Sequence, residues 1–212
     1  FAVPTGNFGD IYAGYVAKKM GLSIDKLIVA TNENDILERV INTGEYKPYK
    51  VKQSLSPSMD VQIASNFERL LFDVLNHNDK KVSELMSKLL LKGSFKLNKE
   101  QLDNIKENFY ARKINDKETL EIIKIYAEKH DFILDPHTAT AVGASKKIKS
   151  ESEILILGTA HPYKFLETIK KASSKKINMP EQIKKLIDKK EKYDVLENKI
   201  SEVKNYILGK IS

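Results

Sequence analysis

The chain has 212 residues, 41% of them hydrophobic and 31% charged, which is enough apolar material for the core of one ordinary domain. It contains no cysteine, which excludes disulfides and thiolate metal sites, and no apolar run reaches membrane-spanning length. Residues 170–212 hold 12 lysines and 6 acidic residues, so most of the net charge of +7 belongs to this tail.

The charge pattern argues against nucleic-acid binding. The chain has only three arginines, whereas proteins that read bases and phosphates rely on arginine forks. A basic binding module would carry its charge across the body of the fold rather than in the tail. We therefore expect neither a nucleic-acid partner nor a membrane partner, and the absence of cysteine is compatible with a cytoplasmic location.

The first part of the chain predicts an α/β fold. Apolar runs suit buried strands, and residues with helical spacing of apolar side chains follow them. Asn34 is expected to cap the second helix. The order is strand, loop, helix, strand, helix, which predicts a partial parallel sheet with flanking helices. In chain order these elements are residues 1–3, 4–9, 10–20, 27–30 and 35–41. Because Phe1 already lies in a strand-like run, we expect an N-terminal portion of the domain outside this sequence.

The middle of the chain predicts mainly helices. Ser65 and Glu68 have the spacing of a capping box, and Asn115 with Glu118 repeats that signal. A helix of small residues follows Asp135, and small side chains allow a helix to lie close to a sheet or a ligand. Helices are expected from Ser65 to about 75, at about 80–91 and 99–109, from Asn115 to about 128, and around 139–144.

The last part of the chain predicts one more strand and a helical tail. The apolar run 154–157 is typical of a buried strand and leads directly into Thr159. Two amphipathic helices are expected at about 180–192 and 194–208.

The loop between the first strand and the first helix has the features of a small anion site. The backbone N–H groups of Gly6, Asn7, Phe8 and Gly9 can form a nest, and the helix that follows adds its positive end. The loop matches neither the Walker A spacing nor the dinucleotide fingerprint, so it would suit a single phosphate. On the two glycines alone, an ordinary strand-to-helix turn is the preferred interpretation.

Thr159 follows a predicted strand, as the glycine loop does. Ligands of open α/β sheets gather at the carboxyl ends of strands, so both segments can face one crevice. A turn residue whose hydroxyl bonds the backbone is the simpler alternative for Thr159. His137 and His161 each lie beside a proline and could also reach this crevice. They are too few for a metal site, and we predict none.

Four segments together resemble the threonine synthase family. They occur in the family's order and extend from the start of the chain to about Phe165. They are Val3-Pro4-Thr5-Gly6-Asn7-Phe8-Gly9-Asp10, Ser56-Pro57-Ser58-Met59-Asp60 with Asn66-Phe67-Glu68-Arg69 after it, Asp135-Pro136-His137-Thr138-Ala139, and Gly158-Thr159-Ala160-His161-Pro162-Tyr163-Lys164-Phe165.

The resemblance implies a pyridoxal 5'-phosphate enzyme of the tryptophan-synthase β-like fold class. It would convert O-phospho-L-homoserine and water to L-threonine and phosphate. Residues 1–172 would be the C-terminal portion of the catalytic domain, and residues 173–212 a helical extension packing on it. The loop would bind the cofactor phosphate, and Thr159 would hydrogen-bond the pyridine nitrogen. The implied cofactor-binding residues are Gly6, Asn7, Phe8, Gly9, Asp10 and Thr159.

The sequence departs from the family in one respect. The family's Schiff-base lysine lies in a Phe-Lys-Asp-type motif before the glycine loop, and no such motif occurs in the 212 residues. We therefore expect no catalytic residue in this chain, no activity of the chain alone, and a requirement for the upstream portion of the same enzyme as a partner. A non-catalytic remnant of a decayed or split gene is the alternative.

Overall fold

The computed structural model describes residues 1–211, which divide into two compact units, Phe1–Ile177 and the residues from Asn178 onward. The first unit is an α/β structure, as the sequence predicts. Its strands are β1 (Ala2–Pro4), β2 (Leu27–Thr31), β3 (Glu45–Tyr46), β4 (Phe95–Lys96) and β5 (Phe109–Lys113). Its helices are α1 (Gly9–Lys19), α2 (Ile36–Thr43), α3 (Phe67–Val74), α4 (Asp79–Lys92), α5 (Lys99–Lys106), α6 (Asp116–Lys129), α7 (Pro136–Lys146) and α8 (Leu166–Ala172).

The main sheet has three parallel strands in the order β1-β2-β5. Strand β5 was missed from the sequence, where residues 99–109 were expected to be one helix. The helix α5 ends at Lys106, and the chain then pairs with β2 from Phe109 onward. Local spacing alone could not show this, because β5 exists through its pairing with a strand about 80 residues away in the chain.

The prediction of a buried strand over residues 154–157 is wrong in its extent. Only Ile156 forms a parallel bridge, to Ala2 of β1. Two backbone hydrogen bonds hold it there, from the Ala2 N–H to the Leu155 oxygen and from the Leu157 N–H to the Ala2 oxygen. The segment lies at the outer edge of β1, and Leu155 is 56% exposed rather than buried. It still runs beside the sheet, so the residues after it reach the carboxyl edge.

Two apolar clusters cover the two faces of the main sheet. Successive residues of a strand point to opposite faces, and Val29 joins one cluster while Ile28 and Ala30 join the other. The first cluster holds many of the aromatic side chains and packs against α1, α2 and α3. The second is built from β1, β2 and the helices α6, α7 and α8.

The capping predictions had mixed outcomes. The box formed by Asn115 and Glu118 is present at the start of α6 and is confirmed. Asn66, not Ser65, precedes α3, and no side chain caps that helix. Asn34 does not cap α2, because its side chain bonds the Lys52 backbone and Asp60 instead. The contacts of Asn34 with residues distant in the sequence therefore determine where its side chain lies, and the local pattern that predicted a helix cap does not.

The second unit contains two helices, α9 (Glu181–Ile187) and α10 (Ile200–Ile211), both shorter than the sequence pattern suggested. The apolar residues of α10 are largely exposed within the described part of the chain, with Ile200 at 91%. The first unit extends to Ile177, and the predicted domain boundary at residue 172 stays a prediction. That residues 173–212 pack on the catalytic portion as an extension stays a prediction. No helix among residues 1–211 is long and apolar enough to cross a membrane.

Candidate functional site

A cleft of about 310 Å³ opens at the carboxyl edge of the main sheet. All four segments that resemble the family contribute to it. Its lining residues are Pro4, Thr5, Gly6, Asn7, Phe8, Gly9, Asp10, Ser58, Met59, His137, Thr159, Ala160, Lys164 and Phe165. The structure therefore brings the predicted cofactor-binding residues of the glycine loop and Thr159 into one cleft, although they lie about 150 residues apart in the sequence. The volume falls at the lower end of the range of small-molecule sites.

The glycine loop is held in a strained shape by an anchored phenylalanine. Phe8 has a φ of 68°, in the left-handed region that few residues other than glycine adopt. Its side chain is fully buried, with its ring centroid 5.3 Å from that of Phe67 and 5.5 Å from that of Phe109. The burial of the ring compensates for the backbone strain. A left-handed residue before a helix turns consecutive N–H groups to one side, which is how anion nests form.

The N–H groups of this loop are free to bind a ligand. Within residues 1–211, those of Gly6, Asn7, Phe8 and Gly9 donate to no other protein group, and no side chain caps α1. The Asn7 carbonyl accepts hydrogen bonds from the backbone and side chain of Asn66, at 3.2 and 3.1 Å. Because a trans peptide is planar, this directs the Phe8 N–H away from Asn66. Together with the helix start, these groups form an uncapped anion cup.

Gly6 lies directly against the backbone of the Ser58 segment. A Cβ added at Gly6 would be 2.7 Å from the Ser58 oxygen and 3.1 Å from the Met59 Cα. Two backbone segments approach each other here, which only glycine allows. At Gly9 an added Cβ would meet only the Asn66 side chain, at 3.4 Å. The two glycines therefore have different roles: Gly6 permits the close packing of two backbone segments, and Gly9 is the first residue of α1.

A buried polar network holds the Ser58 segment in place. Asn32, at the end of β2, donates from its side-chain nitrogen to Ser54 Oγ at 2.7 Å, Ser56 Oγ at 3.0 Å and Asp60 Oδ1 at 2.7 Å. Asp60 also accepts from the Ser54 N–H and hydroxyl. Satisfied buried networks of this kind define one conformation. Asn32 belongs to none of the motif segments and was not singled out from the sequence.

Asp135 and His137 form a buried pair at the start of α7. The Asp135 carboxylate accepts from the backbone N–H groups of His137 and Thr138 and from the Thr138 hydroxyl, and it lies 3.1 Å from His137 Nδ1. Burial opposes ionisation of Asp135, but these hydrogen bonds outweigh it, so the pKa of this carboxyl is lowered. Among the described residues, His137 Nε2 is buried without a partner.

Thr159 enters the cleft from the edge of the sheet beside β1. The neighbouring Gly158 lies close to the start of α7, since a Cβ added there would be 3.9 Å from Thr138 Oγ1. Thr159 itself is exposed, so its hydroxyl is available to a ligand. His161, which was expected to reach the crevice with His137, is exposed and accepts from the Tyr163 N–H instead. Lys164 lines the cleft and was not singled out from the sequence.

A larger hollow of about 590 Å³ lies elsewhere on the first unit. It is bordered by Phe1, residues 23–26 and residues 148–155, around the amino ends of β1 and β2. Ligands of parallel sheets bind at the carboxyl ends of the strands, and this hollow holds none of the four motif segments. The smaller cleft is therefore the better candidate for the functional site.

The fold and the cleft define an α/β protein with a cup of backbone N–H groups, unpaired within residues 1–211, at the carboxyl edge of a parallel sheet. The family model described as "Threonine synthase, C-terminal" matches residues 138–207. The threonine synthase of Pseudomonas aeruginosa is 39% identical over 98% of this chain and 45% of that protein. That of Saccharomyces cerevisiae is 41% identical over 98% of this chain and 46% of that protein.

A solved structure, described as PLP-bound threonine synthase from Brucella melitensis, gives the same result. It superposes with a TM-score of 0.89 at 42% identity, over 98% of this chain and 45% of that one. The chain belongs to the threonine synthase family and corresponds to the C-terminal part of its members. It spans a little under half the length of the relatives it matches.

Proposed function

We propose that the cleft binds pyridoxal 5'-phosphate and that the chain is the C-terminal part of a threonine synthase. The observation that carries this proposal is the uncapped cup at Gly6–Gly9 with Thr159 in the same cleft. The residues fit the cofactor, because the free N–H groups can bind its one phosphate and the Thr159 hydroxyl can bind the nitrogen of its ring. A dinucleotide would need a longer glycine loop.

Each residue of the site has a distinct role in this proposal. The N–H groups of Gly6, Asn7, Phe8 and Gly9 hold the phosphate, and Asp10 lies at the first turn with its side chain exposed. The Thr159 hydroxyl hydrogen-bonds the pyridine nitrogen. A neutral hydroxyl, unlike a carboxylate, does not hold a proton on that nitrogen. Bound pyridoxal phosphate supplies electron withdrawal from the substrate carbon next to its amino group.

The proposed reaction converts O-phospho-L-homoserine and water to L-threonine and phosphate. The residues present bind and orient the cofactor, but the lysine that would carry protons has no counterpart in the four motif segments. We propose that this lysine comes from a segment corresponding to the N-terminal part of the relatives and that the chain alone is inactive. A cytoplasmic location and the role of residues 173–212 as a helical extension belong to the same proposal.

Cofactor binding is tested with a matched pair of substitutions at Gly9. Asp and Asn have almost the same size, so Gly9→Asp and Gly9→Asn differ mainly in a negative charge beside the cup. We expect Gly9→Asp to bind pyridoxal 5'-phosphate at least about tenfold more weakly than Gly9→Asn, because a like charge near the phosphate costs about 1.4 kcal/mol or more. Equal affinities of the two variants, measured by absorbance titration, would show that the loop is an ordinary strand-to-helix turn and does not bind the phosphate.

Catalysis is tested by supplying the part of a threonine synthase that this chain does not span. The chain is mixed with a polypeptide that covers the first half of a threonine synthase, together with pyridoxal 5'-phosphate. Phosphate release from O-phospho-L-homoserine by the mixture, and not by either piece, is the expected result. The exposed Thr159 offers a matched substitution, since Thr159→Val replaces the hydroxyl by a methyl group of similar size and should lower the rate without unfolding the chain. No release from the unsubstituted mixture would favour the non-catalytic remnant.

A further inference from the structure

His137 carries a buried ring nitrogen that no group of the described residues satisfies. The residue is 3% exposed, and its Nδ1 lies 3.1 Å from Asp135 Oδ1. Nε2, on the other side of the ring, has no hydrogen-bond partner within residues 1–211. Buried polar atoms are nearly always paired, so an unpaired one in a cleft indicates that a bound molecule completes it.

His137 lines the same cleft as the anion cup. Thr140 joins the first turn of α7 to the Met59 segment, because its hydroxyl donates to the backbone carbonyl oxygen of His137 at 2.6 Å and lies 3.6 Å from the Met59 sulfur. Met59 is in turn the residue whose backbone approaches Gly6. The ring of Phe165 covers the imidazole, with a centroid distance of 4.8 Å, and is only partly buried. Phe165 lines the same cleft, so a change of its χ1 rotamer is the movement that would give a ligand access to Nε2.

We propose that His137, protonated, donates a hydrogen bond from Nε2 to the phosphate held in the cup, and that Asp135 is its positioning residue. The Asp135 carboxylate accepts a hydrogen bond from the Nδ1–H group, which fixes the ring and stabilises its positive charge. The other ionisable groups that line the cleft are Asp10 and Lys164. This inference rests on the proposed function, since it needs a phosphate-bearing ligand in the cup.

Sulfate is a suitable probe, because it remains a dianion over the whole working pH range, whereas phosphate itself titrates. Carboxylates and lysine ammonium groups ordinarily titrate outside the interval from about pH 5.5 to about pH 8.5, whereas histidine titrates inside it. We expect the affinity of the chain for sulfate to be at least about tenfold higher at about pH 5.5 than at about pH 8.5. The binding is followed by NMR on the ring signals of the four histidines, of which His137 should shift most.

Two substitutions separate the two ring nitrogens. His137→Asn keeps a donor near Nδ1 for Asp135 but removes Nε2, so affinity at the lower pH should fall about tenfold and the pH dependence should vanish. His137→Gln places an uncharged donor near Nε2, so sulfate should still bind, without pH dependence. His77→Asn is the matched control, because His77 also pairs with an aspartate, Asp73 at 3.2 Å, but is exposed. It should behave as the unsubstituted chain does.

The outcomes distinguish this inference from the function on which it rests. Unchanged affinity and pH dependence in His137→Asn, with binding still weakened by Gly9→Asp relative to Gly9→Asn, would overturn the role of His137 and leave the cup standing. Binding that none of these substitutions alters would place the sulfate on surface lysines and overturn the role of His137 as well. No sulfate binding by the unsubstituted chain would overturn both the role of His137 and the anion cup.

Discussion

Gly6 offers a direct measurement of how tightly the cup is built. In Gly6→Ala the new Cβ would lie 2.7 Å from the Ser58 oxygen and 3.1 Å from the Met59 Cα. Both are backbone atoms, which cannot rotate away as the end of a side chain can. The buried network around Asn32 and Asp60 further resists movement of this segment. Relief of the overlap therefore has to move backbone, and we expect a loss of about 1–3 kcal/mol in the free energy of unfolding.

The assay is urea denaturation followed by circular dichroism, with Gly9→Ala as control. Gly9 belongs to the same loop, but its added Cβ would meet only the Asn66 side chain at 3.4 Å, which is an ordinary contact. Alanine at the first position of a helix is favourable, so Gly9→Ala should change stability by less than about 0.5 kcal/mol. Equal stabilities of Gly6→Ala and Gly9→Ala would refute the packing argument. A confirmed loss would also mean that cofactor release by Gly6 variants alone cannot prove phosphate contact.

Three further outcomes are expected from the structure. Phe8→Ala should cost about 3–5 kcal/mol of unfolding free energy in urea titrations, because it empties a fully buried aromatic position, and a loss below about 1 kcal/mol would contradict the anchoring role. Asp135→Asn should lower the free energy of unfolding by about 1–3 kcal/mol near neutral pH. Because folding lowers the pKa of Asp135, this loss should be present above the ordinary carboxyl pKa and should disappear as the pH falls through the lowered value. A loss that does not depend on pH would count against the charged contact with His137. Gly143→Ala should destabilise by about 1–3 kcal/mol, because its Cβ would lie 2.8 Å from the end of Ile122 at the α6–α7 contact, and a gain in thermal stability would show that Ile122 yields freely.

The sequence determined the fold class and the position of the glycine loop between the first strand and the first helix. Apolar runs and helical spacing placed β1, α1 and β2, and the order of these elements was enough to infer a parallel sheet with its carboxyl edge at Gly6–Gly9 and Thr159. The resemblance to threonine synthases rested on residue identities, which do not depend on the fold. These parts of the prediction needed only information that is local in the chain.

Tertiary structure alone decided the rest, because it depends on partners distant in sequence. Strand β5 forms through pairing with β2, and the run 154–157 is only an edge bridge since one side of it has no strand within the described residues. Asn34, which looked like a helix cap, serves the network with Asp60 instead. The unpaired Nε2 of His137 was invisible in the sequence, since a missing hydrogen-bond partner can be seen only when every neighbour has been placed.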